Sequence, residues 1–190
     1  MRNLVLVAHL SLDGFAAGPK GELDGFPSAE ENLEFVCSLT EGADAALFGR
    51  KSYELLNSYW PGAKAIPDVT KGEIAYSNWY NGAQKIVISK TMAKADLDRT
   101  TIISDNISNE ISKIKKQAGK NILIFGSPAA SESLMQSDLI DEYWIFINPV
   151  LFGSGIPLFK GSTNKRKFKL LETKQFSNGE IALHYTIEGT

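Results

Sequence analysis

The sequence predicts an α/β domain: a mainly parallel sheet of about eight strands, helices on both faces, and a C-terminal antiparallel hairpin. Three observations carry this expectation. Unbroken apolar runs such as Leu4 to Leu10, "NILIF" and "EYWIFINPV" have strand length and are apolar enough to be covered on both sides. Stretches with helical spacing of apolar residues lie between these runs, the order expected of parallel strands joined by crossover helices. The tail holds two alternating segments on either side of Asn178-Gly179, a hairpin turn signal.

Taken in order, Leu4 to Leu10 is the first strand, and residues 13 to 27, rich in glycine and proline, form a long loop. Ser28 and Glu31 make a capping-box pattern, followed by Leu33, Val36 and Leu39 at helical spacing, with Gly42 closing the helix. "DAALFG" reads as a buried strand and "RKSYELLNSY" as the helix leaving it. Residues 57 to 82 contain Pro61 and Pro67 and lack a clear period. "QKIVIS" and "TTIIS" are the next strands. Ile107, Ile111 and Ile114 define an amphipathic helix ending near Gly119. "NILIF" is a strand, "SPAASESLMQS" a helix with Pro128 in its first turn, and "EYWIFINPV" a strand. In the final strand Ile181, Leu183, Tyr185 and Ile187 share one face. No repeat or linker divides the chain, so a single domain over residues 1–190 is expected.

Composition narrows the function classes. Twenty basic and 22 acidic side chains give a net charge of −2, which provides no general attraction to nucleic acid or an anionic membrane. The single cysteine, Cys37, permits no intrachain disulfide and suits a reducing compartment; beside Val36 on a helix it reads as a small packed side chain. The apolar start contains His9 and runs into "SLDG", unlike a signal peptide. A cytoplasmic location is expected. With His9 and His184 as its two histidines, the chain offers little for a metal site, and none is expected. His184, on the face opposite Tyr185, reads as exposed.

In open α/β sheets ligands lie beyond the carboxyl ends of the strands. Three such ends carry suitable chemistry. Gly126, Ser127 and Pro128 join "NILIF" to a helix, where first-turn N–H groups point at an anion. The same tripeptide also suits a plain tight turn with a serine cap. Gly49 ends "ALF" and is followed by Arg50, Lys51 and Ser52; cations in a first helical turn oppose the dipole unless an anion or a carboxylate such as Glu54 lies near. Ser89, Lys90 and Thr91 follow "IVI". Together they suit an extended ligand with several negative charges, such as a dinucleotide with an extra phosphate. "GSGIPL" is not a dinucleotide glycine fingerprint, because Pro157 stands where a helix would start.

These residues add up to a resemblance. "SLDGFAAG", "LFGRKSYE", "ILIFGSPA" and above all "LIDEYWIFINPVLFGSGIPLF" resemble the riboflavin-biosynthesis reductase (RibD C-terminal) family, which has the dihydrofolate reductase fold, and within it the stand-alone bacterial members. The resemblance implies NADPH with its pyrophosphate at Gly126 and Ser127. It places the 2′-phosphate at Arg50 and Lys51 with Ser89 and Lys90, and Asp13 and Gly14 facing nicotinamide and substrate. In "PVLFGSGIPLF" the glycines then permit close backbone approach beside the loop after strand one, and Ile156, Leu158 and Phe159 re-enter the core. The zinc deaminase signature of the bifunctional members is absent, so only the reductase step is implied.

The expected function is an NADPH-dependent reductase that passes hydride to a C=N or C=O carbon of a small pterin- or pyrimidine-like heterocycle, or of a related substrate. Asp13 and Glu30 are the catalytic candidates. Gly14, Gly49, Arg50, Lys51, Ser52, Ser89, Lys90, Thr91, Gly126, Ser127 and Pro128 are the cofactor candidates. Asp13, Tyr53, Trp60, Pro149 and Gly153 are the pocket candidates, with core packing the stronger reading for both aromatics. Three alternatives stay open: a nucleotide-binding sensor or relic without turnover, a true dihydrofolate reductase using Glu30 or Glu34, and a flavin-binding reductase. The expected partners are a small-molecule substrate and a second copy in a homodimer, with no nucleic acid and no membrane.

Overall fold

Apolar runs become strands and amphipathic runs become helices along most of the chain. The computed structural model describes residues 1–27, 29–92, 97–160 and 165–188. The elements are β1 (Leu4–Ser11), β2 (Phe15–Ala17), α1 (Glu30–Glu41), β3 (Ala43–Gly49), α2 (Arg50–Ala63), α3 (Lys71–Gly82), β4 (Gln84–Ile88), β5 (Thr100–Ile103), α4 (Ile107–Lys116), β6 (Asn121–Phe125), α5 (Pro128–Gln136), β7 (Glu142–Asn148), β8 (Ile156–Pro157), β9 (Phe168–Gln175) and β10 (Ile181–Ile187). An eight-stranded sheet has the order β5-β4-β3-β6-β1-β7-β10-β9, and β2 and β8 form a separate pair. Pairing is parallel for β3 with β4, β4 with β5 and β1 with β7, and antiparallel for β10 with β7 and β9.

Contacts divide the chain into two compact units: residues 1–2 with 29–123, and residues 3–28 with 124–190. In the first, β3 and β4 are nearly continuous apolar runs, and Leu47, Phe48, Ile86, Tyr80, Ile111 and Ile122 are fully buried. Arg2 fastens the start of the chain here. Its guanidinium donates to the Asp44 carboxylate and to the Lys120 carbonyl. Trp60 packs tilted against Tyr76 (4.2 Å between centroids) and edge-on against Tyr59 (5.0 Å), so α2 and α3 share an aromatic seam.

One expectation needs correction in this unit. Residues 57 to 82 are largely helical: α2 continues to Ala63 with Pro61 inside it, and α3 follows. The signal was present, because Thr70 and Glu73 form a capping box with both reciprocal hydrogen bonds made. It was obscured by Gly72, Asn78 and Asn81, poor helix formers that packing overrides. Gly72 is needed for closeness: a Cβ there would lie 3.3 Å from Leu33 Cγ, and its carbonyl accepts from the Cys37 thiol. The capping role expected of Ser28 lies outside the described residues; α1 has Ala29 at its N-cap without a side-chain bond.

In the second unit β1 is buried apart from one position, His9. Leu4, Leu6, Phe146, Leu134, Ile140, Leu158 and Ala182 are fully buried around it. The hairpin turns at Gly179, which has φ +87°, as the Asn-Gly signal predicts. The alternating face of β10 is reversed relative to a simple reading: Ala182 is buried, whereas Ile181 is exposed. The loop after β1 also contains a strand, β2, which pairs with β8. After β8 the chain re-enters through Leu158 alone, while Ile156 is half-buried and Phe159 is exposed. Phe159 was expected inside; it follows Leu158 by one residue in an extended stretch, where alternate side chains point opposite ways.

His184 is not exposed either. Its ring stacks on Trp144 (4.3 Å, 12°) and its Nε2 lies 3.0 Å from a Glu142 carboxylate oxygen across the β7–β10 ladder. Among the described residues no helix is long and apolar enough to cross a membrane.

Candidate functional site

The second unit gathers its chemistry at the end of β1. The Asp13 carboxylate accepts from the Ser11 hydroxyl (2.6 Å) and from the N–H groups of Phe152 (3.1 Å) and Gly153 (2.7 Å). Those hydrogen bonds, Ser11 first, hold its carboxyl below the usual aspartate range against some desolvation. The loop after β1 and the segment 149–155 are therefore clasped through one carboxylate. The bonds favour the charged form, so the clasp persists above the ordinary carboxylate range and is lost as pH falls through the depressed value.

The glycines of this segment do different work. Gly153 takes φ +70° with open space around it. A Cβ at Gly155 would run into the Ala17 carbonyl oxygen and stand 3.1 Å from Phe15 Cβ, so only glycine permits the β2–β8 approach. Gly14, at φ +85°, closes the turn in which its N–H donates to the Ser11 carbonyl. Pro149 is exposed and packs beside Gly179.

The strand next to β1 in this unit leads to the start of α5. Gly126 donates its N–H to the Val7 carbonyl (2.8 Å), then Gly126 and Ser127 both adopt left-handed conformations, with φ +54° and +53°. A non-glycine residue rarely adopts this shape. Ser127 makes no side-chain cap, Pro128 occupies the first helical position, and the first turn holds no acid. The N–H groups of Ala129 and Ala130 consequently have no partner within the helix. No carboxylate of that first turn offsets the positive end of the dipole.

In the first unit, Gly49 at the end of β3 is paired in register with Ile88 at the end of β4. That register brings two of the three chosen strand ends side by side. Arg50 Nη1 donates to Thr91 Oγ1 (3.2 Å), and its Nε lies 3.6 Å from Glu54 Oε1. Both charges of this ion pair are well exposed, so it contributes little. Ser89 is buried and its hydroxyl accepts from the N–H groups of Thr91 and Met92, shaping the turn after β4. Helix α2 starts on Gly49 with no side-chain cap and no acid in its first turn. Lys51 is exposed, Lys90 is exposed, and Ser52 is half-buried.

The remaining candidates separate from this group. Tyr53 is buried with its ring 6.2 Å from that of Phe48, and Trp60 belongs to the α2–α3 seam, about 15 Å along the helix from Arg50 by its rise per residue. Glu30 is exposed at the start of α1, where the dipole favours an acid. Cys37 is half-buried, and burial pushes its thiol up, away from nucleophilic reactivity.

Sequence reasoning passed over His9. Its Nδ1 lies 2.8 Å from Glu180 Oε1, a carboxylate that is fully buried. A titratable residue inside an apolar strand was a visible signal; its partner, just after the hairpin turn, was not.

An α/β sheet whose strands lead into bare helix N-termini is the architecture in which ligands lie beyond the strand ends. The chain belongs to the RibD C-terminal domain family, which it matches over residues 2–182. It is 32% identical to the uncharacterized protein YyaP of Bacillus subtilis (strain 168) over 99% of this chain and 96% of that one. A solved protein of Shewanella sp. PV-4 superposes with a TM-score of 0.74 at 23% identity, covering 99% of each chain. The diaminohydroxyphosphoribosylaminopyrimidine deaminase/5-amino-6-(5-phosphoribosylamino)uracil reductase of Thermotoga maritima gives a TM-score of 0.69 at 16% identity, over 98% of this chain and 56% of that longer one. These likenesses support the dihydrofolate-reductase-like fold.

Proposed function

We propose that this chain is an NADPH-dependent reductase acting on a C=N or C=O carbon of a small heterocyclic or ribosylamino-pyrimidine-like substrate. The observation that carries the reading is the start of α5: two consecutive left-handed residues, Gly126 and Ser127, lead into a helix whose first-turn amides have no side-chain cap and no acid beside them, in a member of the RibD C-terminal domain family. Such amides suit a pyrophosphate. Arg50 and Lys51, on the uncapped start of α2, suit the 2′-phosphate, with Ser89, Lys90 and Thr91 shaping the turn beside Arg50. Bound NADPH would supply the hydride. The chain's own part is to hold the phosphates, to fix the loop after β1 through Asp13, and to exclude water around the reacting carbon.

Two measurements test this. The purified protein should oxidise NADPH with 5-amino-6-(5-phosphoribosylamino)uracil or another member of a pterin and pyrimidine panel; tight binding with no turnover across the panel would favour a sensor instead. Arg50→Ala should weaken NADPH by about ten- to a hundredfold, the worth of a charged hydrogen bond, and leave NADH nearly unchanged. Equal weakening of both would remove the 2′-phosphate role.

We also propose a homodimer joined through the C-terminal hairpin. On one face of β7, β10 and β9 the registers align Ile147 with Ile181, Ile145 with Leu183, Tyr143 with Tyr185 and Tyr185 with Leu170. Phe168, Leu170 and Ile181 are exposed there. An apolar face of this kind suits a self-complementary contact. Sedimentation should give twice the chain mass, and Leu170→Glu should halve it; a wild-type monomer would refute the proposal.

A further inference from the structure

We propose that His9 and Glu180 form a proton-delivering pair, in which His9 Nε2 protonates the substrate while the buried Glu180 carboxylate faces the ring at ion-pair distance, with Oε1 2.8 Å from Nδ1 but outside hydrogen-bond geometry. This rests on the reductase reading above and names a residue for its proton step.

Four observations carry it. Glu180 is 1% exposed at its side chain, and sealing an ionised carboxylate costs several kcal/mol unless it is paired. His9, at 34% exposure, is the one position of β1 that is not buried. Nδ1 faces Glu180 Oε1 at 2.8 Å, and Nε2 makes no hydrogen bond among the described residues. The ring is also held: it stacks on Phe146 (4.6 Å, 21°) and lies 6.2 Å from Phe26, itself 4.8 Å from Phe152 in the segment clasped by Asp13. Finally, Gly126 hydrogen-bonds Val7, two residues from His9 on the same strand, so the amides that suit a pyrophosphate stand one strand away from the imidazole.

The second histidine supplies the contrast. His184 pairs with Glu142, a carboxylate that is 24% exposed and also bound by Asn3, as a cross-strand contact of the ordinary kind. Among the described residues, Glu180 is the charged group at ion-pair distance from His9. Glu180 faces it from the hairpin, β7 presents Phe146 and the loop presents Phe26. Asp13 is turned toward Ser11, Phe152 and Gly153, and Lys174 Nζ lies 5.3 Å over the Phe176 ring, which stacks in turn with Phe146.

In the step itself, the C=N carbon would gain a hydride, with its two electrons, from bound NADPH, leaving NADP⁺. The C=N π bond breaks toward nitrogen, and that nitrogen takes the proton from Nε2. Imidazole is left neutral with the proton on Nδ1, the nitrogen facing Glu180, and solvent restores the proton at Nε2.

The experiment follows both imidazoles by NMR, assigned through His9→Gln and His184→Gln, with and without saturating NADP⁺. It also measures NADPH oxidation across pH with 5-amino-6-(5-phosphoribosylamino)uracil for wild type, His9→Gln and Glu180→Gln. The pair predicts that NADP⁺ moves the His9 resonances and leaves those of His184 in place. His9→Gln should slow turnover about a hundredfold or more at unchanged NADPH affinity and abolish the high-pH loss of activity. Glu180→Gln should slow turnover as well, at unchanged NADPH affinity. If NADP⁺ binds while His9 stays silent, or His9→Gln keeps the wild-type rate and pH profile, the pair's role is refuted and the nucleotide reading survives. If no resonance responds to NADP⁺ at all, both fall. Where the uracil probe is not turned over, the NMR response decides alone.

Discussion

Phe146→Ala should lower the unfolding free energy by about 3–5 kcal/mol, the range for removing a fully buried aromatic side chain. Phe146 is 0% exposed, lies in the middle of β7 and is flanked by His9 on β1, Phe176 beyond β9 and Trp144 on its own strand. Collapse around the cavity is hindered because its neighbours are held from three directions: His9 by Glu180, β1 by its parallel register with β7, and β10 by its antiparallel register with β7. Urea unfolding monitored by tryptophan fluorescence checks the figure; a loss below 1 kcal/mol would mean that β7 is not the centre of this unit. Phe146→Leu should recover most of the stability but not the flat stack on His9.

Gly155→Ala is the second large effect. One methyl group there meets the Ala17 backbone carbonyl, which no rotamer change can move aside, and the Phe15 Cβ behind it. Overpacking of this kind costs about 1–3 kcal/mol, and it should fall on the β2–β8 pair, parting the loop after β1 from the segment that Asp13 clasps. Gly153 is the internal control. Its surroundings are open, so Gly153→Ala should cost only the left-handed conformation, about 1–2 kcal/mol. Equal stabilities for wild type and Gly155→Ala in urea, with unchanged amide exchange at Phe15 and Ala17, would contradict the close approach.

Much of this was legible in the chain. The strands at 43–49, 84–88 and 121–125 announce themselves as apolar runs between turn residues, and the hairpin does so through Asn178-Gly179. Helix α3 was less visible because its buried stripe, Gly72, Tyr76 and Tyr80, opens on a glycine chosen for contact with Leu33 rather than for helicity. The two-residue strand β8 has no period to detect; its pairing follows from the Asp13 clasp, a tertiary event. The strand ends at Gly49 and Ile88 were recognisable by residue type, and their alignment follows from the parallel register. By contrast, His9 and Glu180 meet only because β1, β7 and β10 are neighbours in the sheet order, an arrangement that no local pattern encodes.

The proposed reductase role requires that this chain bind a phosphorylated nicotinamide coenzyme. Calorimetric titration of the folded protein with NADPH and, separately, NADH tests it most directly. The account predicts saturable heat with one NADPH per chain and markedly weaker binding of NADH. Absence of binding by NADPH, in protein whose thermal transition shows it to be folded, would contradict it.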